Sequence, residues 1–590
     1  MNICKSLLAL MLFTAFSFTV QAKKDPTNRI RFNQLGFYPN GPKVAVITLE
    51  QGETFYVTTP DFTDTVFTGK LTQFTDSPFS DKKTRIADFT DFRQTGTFVV
   101  SVEGLYSRTF QIQPNLHKAL ADAAIKSFYF QRVSTALPEE FAGKWNRPMG
   151  HPDNQVVVHS SAASPKRPAG TIISSSRGWY DAGDYNKYIV NSGITTGTLL
   201  SLYEDFPEYV KKQNLNIPES RNNVPDLLDE ALWNIRWMLT MQDPVDGGVY
   251  HKLTTPVFEG MIMPVNAKQT RYVVQKGTAA TLDFAAVMAQ AARVYKNYEQ
   301  AFPGLADSLL TAATKAWTWA EKNPNVAYDQ GAINNSHTPQ IHTGAYGDGN
   351  FEDEKVWAAA ELFITTGQNK YLKSVTVAPN DAAPLPSWAQ VKTLGYYSLI
   401  RHENKLGKAA AKIMPQVKAN VMKLANNLAA PVENNYYRTM IAQNEKSFGW
   451  GSNSTAANQS IAQIYAYKIT GDKKYINNAL TNLDYIMGRN ATDYSFVTGF
   501  GHKTPMYPHH RLAEADGIAE PIPGFIAGGV NPEKQDGCYY PSPYADEVYV
   551  DDVCSYASNE IAINWNAPFA YLTTAMEALQ QEVNYSSPAP

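Results

Sequence analysis

The spacing of apolar residues changes once along this 590-residue chain, close to Pro114. From about residue 29 to residue 112, stretches such as KVAVITL and GTFVVSVEG carry β-branched and aromatic side chains with a period of two, and Gly, Pro and Asp separate them. Short, regularly spaced segments of this kind are typical of paired strands. The first part of the chain is therefore predicted to be a small β-sandwich.

Beyond Pro114 the apolar residues recur at helical spacing. Eleven segments show this pattern, namely residues 116–131, 192–204, 224–242, 277–298, 304–322, 354–366, 386–401, 408–427, 455–470, 474–488 and 559–583. Convincing strands are almost absent from this region. Many helices joined by long loops favour an α/α toroid with a loop-built cleft. A solenoid of helix pairs is the alternative, and the lack of a short fixed repeat favours the closed arrangement.

Composition and charge exclude several classes of protein. A hydrophobic content of 44% and a charged content of 18% describe a folded chain, and a net charge of −3 offers no basic surface for nucleic acid or anionic lipid. Residues 1–22 read as a secretory signal peptide, because Lys5 precedes an apolar run that ends in the small-residue pattern Val20-Gln21-Ala22. No later segment reaches the roughly 18 apolar residues of a membrane span. We therefore expect a secreted or periplasmic monomer.

Two cysteines, Cys538 and Cys554, follow the predicted signal peptide. In an oxidising compartment such a pair is most often a disulfide. Two separately buried thiols are the alternative.

Familiar catalytic patterns such as G-x-S-x-G, H-E-x-x-H and the P-loop are missing, whereas three stretches rich in acids and aromatics remain. Their candidate residues are Asp181 and Asp184 in GWYDAGDYNKY, His509, His510 and Arg511 in YPHHR, and Asp551, Tyr556 and Glu560 in YVDDVCSYASNE. Carboxyls beside rings suit hydrolysis of a neutral, hydroxyl-rich substrate, because one carboxyl can protonate the leaving oxygen while another activates water. Taken singly, each stretch also fits a turn, a cation site or a helix start.

Together these motifs resemble glycoside hydrolase family 9, the inverting cellulase family with an (α/α)6 barrel. The match rests on GWYDAGDYNKY, on SFVTGFGHKTPMYPHHR and on YVDDVCSYASNEIAINWNA, with shorter similarities in DEKVWAAAELFITTG and FGWGSN. The resemblance covers residues 114–585, the predicted catalytic domain. The stretch IRFNQLGFYPNGPKVAVI resembles the immunoglobulin-like module that precedes this domain in one branch of the family, and it places that module at residues 27–113.

The resemblance implies a role for each candidate. Glu560 would be the general acid and Asp184 the general base, with Asp181 holding the attacking water. Asp551, His509 and Arg511 would bind the sugar and orient the acid. We assign Trp179, Tyr556 and His510 to substrate binding as well.

The resemblance also bears on metal binding. Asp353 and Glu354 match a D-E-x-x-W pattern that supplies structural calcium ligands in some relatives, and carboxylate oxygens suit Ca²⁺. An acidic pair at a helix start is the other interpretation. No cofactor is expected to be required for the reaction.

The leading hypothesis is an enzyme that cleaves β-1,4-glucosidic bonds in soluble cellulose-type glucan, mixed-linkage glucan, xyloglucan or cellooligosaccharides. An exo-acting β-glucosidase or glucosaminidase is one alternative, and it gains support if the Pro- and Gly-rich interval 512–544 closes one end of the cleft. A non-catalytic carbohydrate-binding protein is the other, but the intact Asp184 and Glu560 argue against it.

Overall fold

The computed structural model describes residues 26–586, so the predicted signal peptide at residues 1–22 lies outside the described residues. Ten strands form the first domain: β1 (Ile30–Arg31), β2 (Gly36–Phe37), β3 (Val44–Ile47), β4 (Thr54–Thr58), β5 (Thr65–Lys70), β6 (Thr75–Asp76), β7 (Lys83–Asp88), β8 (Gly96–Val102), β9 (Leu105–Tyr106) and β10 (Phe110–Ile112). They make one sheet in the order β1-β3-β7-β6 and a second in the order β2-β10-β8-β4-β5, with β9 on β8. The predicted sandwich is confirmed.

Phenylalanine fills the space between the two sheets. Phe37, Phe89 and Phe110 are buried, and Phe37 meets the other two rings edge-on at centroid distances of 5.2 and 5.5 Å. Edge-to-face packing adds to the gain from burying each ring. A separate core therefore belongs to the sandwich alone.

The second domain is helical. Its helices are α1 (Lys118–Phe130), α2 (Glu139–Ala142), α3 (Ile189–Asp205), α4 (Pro207–Val210), α5 (Asp226–Met241), α6 (Thr278–Tyr295), α7 (Leu305–Lys322), α8 (Gln330–Ser336), α9 (Glu352–Thr366), α10 (Asn369–Leu372), α11 (Lys392–His402), α12 (Lys408–Ala411), α13 (Met414–Ala429), α14 (Ser452–Thr470), α15 (Lys474–Ile486), α16 (Arg511–Ala515) and α17 (Ile563–Leu579). All eleven predicted helices are present. The helix predicted from residue 386 begins at Lys392, and the last one begins at Ile563 rather than at residue 559. The segment 408–427 is divided into α12 and α13.

Six helices, α3, α6, α9, α11, α14 and α17, form the inner ring of an (α/α)6 barrel. Their sequences are buried on all sides, as in α3, where every residue from Ile189 to Leu200 is buried. The ring closes where Tyr397 of α11 stacks on Tyr465 of α14 at a centroid distance of 3.9 Å. Outer helices such as α7 and α15 are amphipathic and cover the ring. The closed toroid is therefore confirmed, and the solenoid is not.

A five-stranded sheet in the loops of the barrel was not predicted. Its strands are β11 (Val156–Val158), β12 (Ile172–Ile173), β13 (Lys187–Tyr188), β14 (Lys252–Thr254) and β15 (Tyr272–Val273), in the order β12-β11-β15-β14-β13. Strands of two or three residues leave almost no periodic signal, and their partners lie far away in sequence. This sheet ties the chain before α3 to the chain before α6.

Buried polar contacts join the two domains. Gln34 of the sandwich accepts hydrogen bonds from the backbone N–H groups of His502 and Lys503 at 2.6 and 3.0 Å, and Asn33 donates to Asp484 at 2.9 Å. Tyr38 donates to Glu577 of α17 at 2.7 Å. The sandwich therefore holds both the histidine-bearing loop and a helix of the inner ring.

Among residues 26–586, no helix combines the length and the apolar character needed to cross a bilayer.

Candidate active site

A cavity of about 440 Å³ opens at the end of the barrel where the inner helices begin. It is lined by Asp181, Ala182, Asp184, Tyr188, Ile194, Phe258, Gly344, Ala345, Tyr346, Pro386, Ser387, Trp388, Trp450, Gly451, Ser454, Thr455, Asn458, Glu560, Asn564 and Trp565. Asp184 precedes α3, Tyr346 precedes α9 and Glu560 precedes α17 by a few residues each. Helix N-termini carry partial positive charge, so this end of the barrel suits carboxylates.

The chain from Asp181 to Asp184 is a tight loop in front of β13. The Asp181 backbone N–H donates to the carbonyl of Asn186 at 3.1 Å, and the Asp181 carbonyl accepts from the backbone N–H of Ile563, the first residue of α17, at 2.8 Å. The loop is thereby attached both to itself and to the helix that follows Glu560. This contact brings together motifs almost four hundred residues apart.

Asp184 receives its hydrogen bonds on one oxygen. Its Oδ2 accepts from Asn186 Nδ2 at 2.6 Å, from the Asn186 backbone N–H at 3.3 Å and from the Tyr188 hydroxyl at 3.1 Å. These three donors fix the orientation of the carboxylate. Because Asp184 also lines the cavity, its other oxygen is the one available to a substrate water.

Asn186 is itself held by a neighbouring loop. Its Oδ1 accepts from the backbone N–H of Thr255 at 3.0 Å, which leaves Nδ2 to point at Asp184. The Thr255 hydroxyl also donates to the Val257 carbonyl at 2.6 Å, beside Phe258 at the cavity rim. The orientation of Asp184 thus depends on a loop from another part of the chain.

Asp181 is fully buried beside Asp184. Asn191 Nδ2 donates to both of its oxygens, at 3.0 and 2.9 Å, and the Tyr346 hydroxyl donates to Oδ2 at 3.2 Å. Burial, and then the neighbouring charge of Asp184, raise the pKa of Asp181 well above its usual range. The two aspartates therefore do not share one electrostatic environment, although they are three positions apart.

Glu560 contacts the backbone of the loop that carries both aspartates. Its Oε1 accepts from the N–H of Gly183 at 3.3 Å, and its own segment pairs with the backbone of His509. A Cβ on Gly183 would overlap the carbonyl oxygen of His509, so glycine is required here. Burial, and then Asp184, raise the pKa of Glu560 well above its usual range, although Arg511 opposes this. A glutamic acid that holds its proton can act as a general acid.

His509 and Asp551 support Glu560 rather than line the cavity. His509 donates Nδ1–H to the carbonyl of Val553 at 2.6 Å, and burial lowers its pKa, so a neutral ring with Nε2 as acceptor results. Asp551 accepts from the backbone N–H groups of Met506 and Tyr507 at 2.8 and 2.9 Å. Both residues therefore fix the loop that leads to His509.

Arg511 and Tyr556, the other two predicted substrate-binding residues near the cavity, make different contacts. Arg511 donates to the carbonyls of Gly183 and Glu259 at 2.9 and 2.8 Å. It therefore joins the loop from Asp181 to Asp184 to the loop that contains Phe258. The ring of Tyr556 lies 5.5 Å from that of Trp450, which lines the cavity. Tyr556 is partly exposed, which is compatible with its predicted contact to substrate.

Two predicted substrate-binding residues are placed elsewhere. Trp179 is completely buried, donates to Glu230 at 2.8 Å and packs against Phe128 of α1. His510 is also buried, lies 3.2 Å from Gln131 and has a pKa lowered to about 3 by burial. Neither side chain can reach a sugar, because both point into the core. A position next to a site residue in the sequence did not predict contact with substrate, because alternate side chains of an extended segment face opposite directions.

Cys538 and Cys554 form a disulfide, as predicted. The bridge closes the loop of residues 538–554. Just before this loop, Asp536 accepts hydrogen bonds from Tyr540, Ser555 and the backbone of Ala557 at 2.7, 2.8 and 3.0 Å. The loop is thus fastened to the segment that carries Tyr556 and Glu560. None of the described residues 512–544 lines the cavity, so this interval does not close the cleft.

Asp353 and Glu354 belong to a buried acidic group with Asp283 of α6. Both oxygens of Asp283, Oδ1 of Asp353 and Oε2 of Glu354 have no hydrogen-bond partner among the described residues. Burial, and then Asp283 and Asp353, raise the pKa of Glu354 to about 11. Yet no three His, Cys, Asp or Glu side chains in residues 26–586 converge closely enough to hold a metal ion as they stand.

Several cavity residues were missed from the sequence. Asn186 and Asn191, which hold the two aspartates, are ordinary polar residues in a motif whose charges drew attention first. Tyr346, Trp388 and Trp450 lie in loops before three different inner helices. The only signal for them was the regular occurrence of an aromatic residue shortly before a helix start.

Comparison with known proteins agrees with this geometry. The family model described as glycosyl hydrolase family 9 matches residues 117–573, and the model described as cellulase N-terminal ig-like domain matches residues 25–107. The chain therefore belongs to glycosyl hydrolase family 9. It is an inverting glycoside hydrolase and cleaves β-1,4-glucosidic bonds.

Individual relatives extend over almost the whole chain. The xyloglucan-specific endo-beta-1,4-glucanase BoGH9A of Bacteroides ovatus is 47% identical over 555 residues and is covered to 94%, as is this chain. Endoglucanase D of Acetivibrio thermocellus is 34% identical over 95% of this chain and 84% of its own length. The solved structure titled "Bacteroides ovatus GH9" superposes with a TM-score of 0.90 at 46% identity, covering 94% of this chain and all of that one.

Proposed function

We propose that this protein is an endo-acting β-1,4-glucanase whose preferred substrate is xyloglucan. The observation that carries the proposal is the 47% identity, across both domains, to a relative named as a xyloglucan-specific endo-beta-1,4-glucanase. The matched length covers 94% of both chains.

The shape of the site supports an internal cut. Exposed aromatic rings stand at the cavity, with Trp450 49% and Phe258 44% exposed. They offer apolar platforms on which the faces of successive glucose rings can lie. Since none of the described residues 512–544 lines the cavity, the exo-acting alternative loses the feature that favoured it.

The proposed mechanism assigns one role to each of the three acids. Glu560, protonated, donates to the glycosidic oxygen as the bond breaks. Asp184, ionised, removes a proton from a water that attacks the anomeric carbon from the opposite face, and Asp181 helps to hold that water. Inversion requires room for the water, which in this class corresponds to about 6.5–9.5 Å between the two carboxyls. Asp551, His509 and Arg511 keep the loops around Glu560 in place.

The test compares initial rates and products on xyloglucan, carboxymethylcellulose and mixed-linkage β-glucan. Endo-action predicts an early fall in viscosity with oligosaccharides of several sizes, and xyloglucan preference predicts the highest kcat/KM on that polymer. Release of a single small product from chain ends would contradict endo-action. Proton NMR of the first product should show the α-anomer.

We further propose that the chain is secreted or reaches the periplasm, and that it acts as a monomer. The apolar run and cleavage pattern in residues 1–22 support export. Mass spectrometry of the mature N-terminus and light scattering of the purified enzyme test the two statements separately.

Calcium binding is a separate proposal for the acidic group on α6 and α9. Asp283, Asp353 and Glu354 leave hard oxygens unpartnered, and a Ca²⁺ ion held by Asp283 and one carboxyl of α9 would take backbone carbonyls or waters for the rest of its shell. The ion would bridge two inner helices and stabilise the folded state. Chelation should then lower Tm by several degrees and added Ca²⁺ should restore it. An unchanged Tm together with no heat of Ca²⁺ binding would reject the proposal.

A further inference from the structure

The cavity extends well below the carboxyls. Asp184 and Glu560 precede α3 and α17, whereas the lining also includes Ile194 in α3 and Asn458 in α14. Asn458 lies six positions beyond Ser452, where α14 begins. At 1.5 Å per residue, Asn458 lies about 9 Å along the axis of α14 from Ser452, or more than one and a half turns. We call this lower part, lined by Ile194, Thr455, Asn458, Asn564 and Trp565, the inner pocket.

The inner pocket is polar without being charged. Asn564 is only 7% exposed, and its Oδ1 has no hydrogen-bond partner among the described residues. Asn458 donates from Nδ2 to the carbonyl of Ser454 at 3.1 Å, which leaves its own Oδ1 as an acceptor. A buried acceptor without a donor costs free energy unless something supplies one. The hydroxyl groups of a neutral sugar are suitable donors.

The pocket ends inside the barrel. The next inward residues of α14, Ile461 and Tyr465, are buried and do not line the cavity, and Tyr465 stacks on Tyr397. A β-1,4-glucan is an extended ribbon whose two ends both continue, so its backbone cannot enter a space that ends in this way. The backbone must pass the aromatic rim, and only a group that leaves the backbone can enter the pocket.

We propose that the inner pocket binds a neutral sugar branch on the glucan backbone, namely the single pentose carried on O6 of a glucose unit in xyloglucan. This inference rests on the proposed function, since it names the part of that substrate which the site recognises. The pentose hydroxyls donate to Asn564 Oδ1 and Asn458 Oδ1, and its ring lies against Ile194 and Trp565. The branch thereby positions the backbone over Asp184 and Glu560.

Two substitutions test the pocket without touching the catalytic acids. Asn564→Ala removes the unpartnered acceptor, and Thr455→Tyr places a large ring in the pocket from the first turn of α14. Each variant is assayed on xyloglucan and on unbranched mixed-linkage β-glucan, and Tm is measured in parallel. The matched control is Thr311→Tyr on the exposed face of α7.

The expected result is a fall of about tenfold or more in the ratio of kcat/KM on xyloglucan to kcat/KM on the unbranched glucan, mainly through KM. The control keeps the wild-type ratio. An equal loss on both polymers would overturn the inference, because the pocket would then serve the backbone, while the proposed function would stand. If wild-type enzyme hydrolyses neither polymer, the proposed function itself fails. If Thr455→Tyr does not fold, Asn564→Ala alone decides.

Discussion

The two ends of the barrel both bury carboxylates, but they stabilise them in opposite ways. At the C-terminal ends of the inner helices, Glu204 lies within 2.7 Å of Arg293 and 3.2 Å of Arg401, and Asp205 lies 3.0 Å from Arg401. At the N-terminal ends, Asp181 and Asp184 form no ion pair within the described part of the chain and are held by neutral amides and hydroxyls. Glu204 and Asp205 therefore belong to a network of ion pairs, whereas Asp181 and Asp184 do not.

The pKa directions follow from this difference. Burial alone would raise the pKa of Glu204, but Arg293, His402 and Arg401 bring it well below its usual range. At the other end, no comparable set of cations opposes burial, and the pKa of Glu560 is well above its usual range. Paired buried acids contribute to the fold, whereas an acid left with its proton at a cavity contributes chemistry. The acids that lack cations and also line the cavity therefore mark the location of the reaction.

The largest expected effect is on catalysis at the cavity end. Glu560→Gln and Asp184→Asn should each lower kcat on soluble β-glucan by about 10³-fold or more, since each removes a proton-transfer group. The thermal stability of Glu560→Gln should stay the same or rise, because the buried carboxyl that is lost has one long hydrogen bond, from the Gly183 N–H at 3.3 Å. Steady-state kinetics and calorimetry measure the two quantities. Near wild-type activity in either variant would contradict the roles proposed.

The matched change at the opposite end should affect stability instead. Glu204→Gln leaves Arg293, Arg401 and His402 without their shared carboxylate, and breaking a buried ion pair costs about 3–5 kcal/mol. The free energy of unfolding from denaturant titration should fall by about that amount, with kcat per folded molecule unchanged. A loss of kcat without a loss of stability would show that the two ends are not separate in function.

A smaller effect is expected for the neutral support of Asp184. Asn186→Ala removes a hydrogen bond to a charged group, which is worth about 1.5–3 kcal/mol, so kcat should fall about 10- to 100-fold. If the alanine variant loses stability but keeps kcat and its pH profile, Asn186 is only structural.

The smallest effect concerns pH. Glu560 acts while protonated, so activity is retained below its raised pKa and lost as pH rises through it. The alkaline limb of kcat/KM should therefore lie above the value of about 4.3 for an ordinary glutamic acid. Asp181→Asn removes one negative neighbour and should move this limb to lower pH. A limb that stays in place would mean that another group controls it.

Long periodic segments made much of the fold predictable. The eleven segments carry enough apolar residues to predict helix, and an inner helix such as α17 is buried along almost its whole length because it packs on all sides. The five-stranded sheet was invisible, because Val157 pairs with Tyr272 across more than a hundred residues and neither strand exceeds three residues. Pairing between short, distant strands depends on the assembled fold rather than on local pattern.

The site was predictable to the extent that charge identified it. Asp181, Asp184 and Glu560 do lie at one cavity, whereas Trp179 and His510 face the core. Which of two neighbouring side chains faces inward depends on backbone direction in irregular loops, and sequence spacing does not determine that direction. Asn186 was missed because its importance comes from Thr255, a residue of a distant loop.

The close backbone approach at Gly183 limits how this enzyme can vary. Any side chain there would overlap the carbonyl of His509, and the Gly183 carbonyl also accepts from the N–H of Arg511 at 3.1 Å. The loop from Asp181 to Asp184 and the loop that carries His509 can therefore change only together. A chimera that exchanges one of them with a distant relative should succeed only if the other is exchanged with it, whereas the aromatic rim is free to diversify around both.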